Sequence, residues 1–168
     1  MRRTPRWLFF LQVLRASSQQ FSLTVSGRVI AGGTGGSTCT TSGSTADHLG
    51  EPVDVASGPG GDIYVLDKAC SRVTLASVTG GTSGGGVVVA GGSQGSFLSN
   101  LFFPEALAFD DASGQLYIAD TQNHRVLRWI PSGSSGTAVV DGGPGTDAGK
   151  LNFPSGVTLA NGGWPSRA

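Results

Sequence analysis

Within YIADTQNHRV, Tyr117 to Val126, a carboxylate (Asp120), an imidazole (His124) and a guanidinium (Arg125) fall inside six residues. Together they have the parts of a catalytic dyad with a cation beside it. The same residues suit a polar turn, because short Asp and Asn side chains bond nearby backbone amides and tolerate unusual dihedrals. The flanks favour the turn. Leu116 to Ala119 before it and Val126-Leu127 after it are apolar, as two strands joined by a turn would be.

Other chemistry is thinly represented. His48 and His124 are the only two histidines. There is no H-x-x-x-H, no C-x-x-C and no acid-rich calcium loop, so no metal site is expected. Glycine clusters occur at GGTGG, GGTSGGG, GGSQG and DGGPG, but none runs into Gly-Lys-Ser/Thr before a helix. No cofactor is expected. Asp110-Asp111 before Ser113-Gly114 reads as a hairpin turn. Trp129 and Phe102-Phe103 have the size of binding aromatics, yet large aromatics more often fill cores.

The bulk composition agrees with short strands and many turns. Glycine contributes 28 of 168 residues, and charged residues only 13% against roughly 25% in an average domain. No stretch reaches the roughly 18 apolar residues of a membrane span. The net charge of zero hides an asymmetry. Residues 1–46 hold Arg2, Arg3, Arg6, Arg15 and Arg28 and no acid. The remainder holds all 11 acidic residues and only six basic ones, a surplus of five negative charges. Nucleic-acid binding draws on basic groups meeting phosphates, so it is not expected. Residues 1–20, with three arginines, the apolar run Trp7 to Leu14, and Ala16, Ser17 and Ser18, have the outline of a secretory signal. The absence of acids suits an organelle transit peptide equally.

A repeat organises the rest. Gly50 to Gly92 and Phe103 to Gly143 follow one pattern, and FPSGVTLANGG, Phe153 to Gly163, begins it again. Tyr64, Asp67, Arg72 and Val73 match Tyr117, Asp120, Arg125 and Val126, each 53 residues later. Pro52, Pro104 and Pro154 recur at spacings of 52 and 50. Each full repeat carries four apolar runs. They are Val53–Ala56, Ile63–Leu66, Arg72–Val78 and Val87–Ala90, then Ala106–Phe109, Gln115–Ala119, Arg125–Ile130 and Thr137–Val140. Four strands in about 40–50 residues outline a β-propeller blade. The second strand is apolar on both faces, as a sheet between two other sheets requires.

Pro-x-x-apolar, then Gly-x-apolar-Tyr-apolar-x-Asp-x-x-Asn-x-Arg, resembles the NHL repeat. The second repeat matches nearly throughout, including Asn123-His124 before Arg125. The first has Cys70 and Ser71 at those two positions, and Leu66 in place of Ala119. The third supplies Pro154 and Gly156-Val157. The resemblance implies an all-β fold, a propeller segment of four-stranded antiparallel blades, six when complete. It divides the chain into a targeting segment (1–20), a partial blade with a Gly/Ser/Thr-rich loop (21–49), blades at 50–92 and 93–143, and the start of another (144–168). It places Asp120 at a strand end and Arg125 at the next strand's start, with Thr121 to His124 turning between them. Asp120 is then expected to accept from the turn's own amides and to pair with Arg125. The first repeat keeps Asp67 and Arg72 but replaces the histidine with Ser71. A turn would be rebuilt in every blade, a catalytic dyad would not.

Strands that alternate in direction put the second-to-third-strand turn on the same rim as the link between blades. That rim gathers Gly32–Glu51, Lys68–Ser71, Gly91–Phe103, Thr121–His124 and Asp141–Phe153, with Lys68, Gln122 and His124 as binding candidates. It also holds Cys39 and Cys70, the only two cysteines, which are expected to form a disulfide. The expected function is a non-catalytic scaffold that binds a protein or small ligand through its loops. Further blades or a partner would be needed to close the ring. Three other readings come from relatives of the NHL type. They are a fragment of an amidating lyase or gluconolactonase-like hydrolase, the NHL domain of an RNA-binding tripartite-motif ubiquitin ligase, and the sensor ectodomain of a receptor kinase.

Overall fold

A computed structural model describes residues 39, 48–77, 86–141 and 143–160, together with the backbone of β1 (Leu23–Val25) and β2 (Arg28–Ala31). The segment at 1–20, most of the Gly32–Glu51 link and Val78 lie outside these residues. Among the described residues, β1 pairs antiparallel with β2, and eight further strands form two four-stranded sheets.

The first sheet is built in chain order from β3 (Pro52–Ser57), β4 (Asp62–Asp67), β5 (Arg72–Ser77) and β6 (Val87–Gly91). The second repeats it with β7 (Ala106–Asp110), β8 (Gln115–Asp120), β9 (Arg125–Trp129) and β10 (Thr137–Val140). Every neighbouring pair is antiparallel. The strands fall on the apolar runs of the sequence because alternate residues fill opposite faces. The innermost strands β3 and β7 lie side by side, so the two sheets stack as consecutive blades of a partial β-propeller.

The core lies between the blades. Tyr64, Leu66 and Val73 from the first meet Leu107, Leu116, Ile118, Leu127 and Trp129 from the second. Tyr64 stacks on Phe109 across the gap, ring centroids 4.9 Å apart. That burial pushes the Tyr64 hydroxyl pKa up, with the charge of Asp62 adding to it. Trp129 is buried within this cluster, and its indole N–H donates to the Gly133 carbonyl at 3.1 Å. Asp54 ties the innermost strands together, its Oδ2 accepting from the backbone N–H of Leu107 at 2.8 Å. On the far face of the first blade, Leu49, Val65 and Ala76 make a second apolar cluster, and β2 lies beside β5.

The hairpin at Asp110 closes as the sequence suggests. The carboxylate accepts from Ser113 Oγ and the Ala112 N–H, which hold its pKa below the usual range.

Gly91 ends β6 with φ at +69°, and a Cβ there would sit 2.4 Å from the Ser71 carbonyl oxygen. Both the left-handed backbone and the close approach favour glycine. Gly91→Ala is therefore expected to cost more than about 1 kcal/mol. Chemical denaturation checks this, and a variant as stable as the parent would show that the approach relaxes freely.

Candidate functional site

The rim is assembled from the repeated Asp and Arg. In β4 and β5, Asp67 stands opposite Arg72, and in β8 and β9 Asp120 stands opposite Arg125. Each strand end thus carries a carboxylate and a guanidinium across a tight turn. Asp120 Oδ2 meets Arg125 Nε at 2.8 Å, and Asp67 Oδ2 meets Arg72 Nε at 3.2 Å. All four side chains are buried. A buried charge needs its remaining bonding positions filled, and the incoming link fills them.

In the second blade, the Arg125 guanidinium donates to the carbonyls of Ser96 (2.7 Å), Phe97 (2.9 Å) and Asn100 (3.1 Å). Asp120 Oδ1 accepts from the Phe102 N–H at 2.7 Å. The first blade does the same with its own link. Arg72 Nη2 donates to the His48 carbonyl, and Asp67 accepts from the N–H groups of Gly50 and Glu51. The expectation that Asp120 accepts from the turn's own amides holds only for the Asn123 side chain, and no backbone N–H of the turn reaches the carboxylate. The turn is a single 3-10 turn, Thr121–Asn123, whose own bond runs from the His124 N–H to the Thr121 carbonyl. Asp120 Oδ1 is left for the link.

Asn123 adds a further tie. Its Nδ2 donates to the Gly95 carbonyl and to Asp120 Oδ2, both at 2.8 Å. The next position, Ser71 or His124, is left-handed in both turns, with φ at 47° and 53°. Its side chain reaches forward to the outgoing link. Ser71 Oγ accepts from the Phe103 N–H at 3.3 Å, and His124 Nδ1 from the Phe153 N–H at 3.2 Å. The His124 ring meets Phe153 edge-on, centroids 4.3 Å apart. The first turn position also reaches forward, Lys68 to Glu105 at 2.6 Å and Thr121 Oγ1 to the Pro154 carbonyl at 2.8 Å.

The structure therefore brings Asp120, Asn123, His124 and Arg125 together, but each is bonded to backbone or to its neighbours. Of the three binding candidates, Lys68 and His124 join their blades to the outgoing links, and Gln122 is exposed. Cys39 and Cys70 form a disulfide with Cα atoms 5.2 Å apart. Phe102 and Phe103 are half-buried and touch each other, centroids 5.3 Å apart. Among the described residues no three His, Cys, Asp or Glu side chains gather in a way that suits a metal ion, and no helix is long and apolar enough to cross a membrane.

Sequence reasoning passed over Phe97 and Leu98. Phe97 is 77% exposed, on a loop held by the Arg125 guanidinium and by a bond from the Gly136 N–H to the Leu98 carbonyl. A signal was present. The matching positions of the next link are Asp147 and Ala148, so the repeat itself does not require Phe-Leu.

The Lys68–Glu105 pair supports a modest prediction. Glu105 raises the Lys68 pKa, first through its side-chain hydrogen bond. A raised lysine pKa means stability that is present below the ordinary lysine range and lost as pH rises through the folded value. Partly exposed pairs contribute about 0–1 kcal/mol. Glu105→Gln is expected to cost less than about 1 kcal/mol near neutrality, with the difference from the parent vanishing in strongly alkaline solution. Urea titrations at two pH values test the sign.

Stacked four-stranded sheets, each pinning the link that feeds it, define a β-propeller segment. The family model of the NHL repeat matches residues 103–129, within the second of its blades. That span runs from the end of the second link to the end of β9, and over it the chain is similar to the NHL repeat. No curated protein matches the chain.

Proposed function

We propose that this NHL-repeat segment is a non-catalytic scaffold that binds a protein partner through its loop rim. The observation that carries this reading is Phe97. A large apolar side chain on a rigid loop loses little conformational freedom on binding, and aromatic anchors supply much of the affinity of protein contacts. The Phe97 loop is held by five hydrogen bonds from Arg125, Asn123 and Gly136. Fold alone does not fix function, so the rim chemistry is the support. The polar turn residues at 120–125 serve the scaffold, which leaves recognition to the variable link residues.

Selection of a displayed random-peptide library against the chain tests the proposal. Binders are expected that are lost on Phe97→Ser and retained on Val87→Ser, since Val87 is exposed at the start of β6, away from that rim. A selection whose binders all ignore Phe97→Ser, in a variant that unfolds like the parent, would overturn the rim reading.

A further inference from the structure

Cys70 and Asn123 occupy the same position in their turns, 53 residues apart. Each stands three residues after its buried aspartate and faces the link that enters its blade. In the second blade the amide of Asn123 ties that link down by donating to Gly95, and it braces Asp120 with its other bond. In the first blade a thiol stands in the amide's place. A thiol is a weak donor and could not supply two such bonds. The side chain is instead bonded to Cys39, which lies on the link between β2 and β3. The link passes very close. A Cβ on Gly50 would sit 2.9 Å from the Cys70 sulfur and 3.3 Å from Asp67 Oδ1.

We propose that the Cys39–Cys70 disulfide is the covalent counterpart of the Asn123 tie, so that the first link's attachment responds to redox state and the second link's does not. The remaining contacts separate the two ends of the first link. Arg72 and Asp67 hold His48, Gly50 and Glu51 by hydrogen bonds that no reductant touches. The attachment at Cys39 depends on the sulfur bond alone among the contacts described for it. Cys39 is exposed and Cys70 buried, which sets the order of exchange. A thiolate of a dithiol reductant attacks the Cys39 sulfur. The bond to Cys70 breaks, and its sulfur leaves as thiolate and takes a proton. The second thiol of the reductant then displaces Cys39. The reductant ends as a disulfide, and two electrons and two protons have passed to the protein.

The test uses the 168-residue chain and tracks thermal melting with and without dithiothreitol. For the parent, reduction is expected to lower Tm by about 5–10 °C, given the usual stabilisation by a bridge of this span and the usual conversion to temperature. Cys70→Ser is expected to melt low and Cys70→Asn at least about 2 °C higher, neither responding to dithiothreitol. Asn123→Ala is expected to melt below the parent by a similar amount in both redox states. A parent Tm indifferent to dithiothreitol would overturn the proposal. So would Cys70→Asn melting no higher than Cys70→Ser, or failing to fold where Cys70→Ser folds. Alkylation of both thiols in the native, unreduced chain would overturn it independently of any variant.

Discussion

Asp120→Ala is expected to destabilise the chain by about 3–5 kcal/mol, the usual cost of removing one partner of a buried ion pair. The carboxylate is fully buried and accepts from Phe102, Asn123 and Arg125. Its loss leaves the Arg125 guanidinium inside the protein without a counter-charge. It also orphans the Phe102 N–H and one bond of the Asn123 amide. A well-packed apolar pair at both positions could be as stable as the ion pair, so the large effect belongs to breaking it and not to its net worth. Equilibrium urea unfolding measures the loss. A cost below about 1 kcal/mol, the scale of an exposed pair, would mean that the guanidinium is solvated in solution and that the link is held by something else.

Trp129→Ala should cost a similar amount, about 3–5 kcal/mol, as large core truncations do. Its ring sits in the layer between the blades with Leu116, Ile118 and Leu127. It also packs against Gly136, where a Cβ would come within 2.8 Å of the ring. Truncation therefore opens a cavity at the blade interface and frees the turn that its indole N–H holds through Gly133. Phe97→Ala provides the contrast, because an exposed side chain away from such features changes stability by about 0.5 kcal/mol or less. Equal effects from the two substitutions would show that the blades do not pack through Trp129.

The strands were legible because their side chains obey a local rule. Leu116 and Ile118 alternate with Tyr117 and Ala119, and β8 pairs with β9 in the register that puts Asp120 opposite Arg125. Repetition made the turn legible as well, since Ser71 replaces His124 without loss of the Asp and Arg. Spacing alone could not convey where the bonds go. The partners of Asp120 and Arg125 are backbone groups at Phe102 and at Ser96, Phe97 and Asn100, some 18 to 29 residues away. Backbone amides and carbonyls are the same in every sequence, so no residue pattern marks them. The forward reach of His124 to Phe153 was hidden for the same reason. The start of a third repeat illustrates the opposite case. Its link shows the same isolated parallel bridge, Pro144 with Leu151 as Gln94 with Leu101, yet residues 154–160 pair with no described strand.

The Arg125 guanidinium grips its loop through three carbonyls and no side chain. Such a grip is blind to spelling. Serine, phenylalanine or asparagine at 96, 97 and 100 offers it the same oxygen atom, provided the main chain keeps its path. The framework is thus insulated from the residues that face outward, and drift at those positions carries little penalty in folding. Two properties that usually compete, a fixed shape and a changeable surface, are assigned here to different atoms of the same residues. A repeat built this way can be copied, and each copy's outward letters rewritten, while the arginine and aspartate beneath stay as they are.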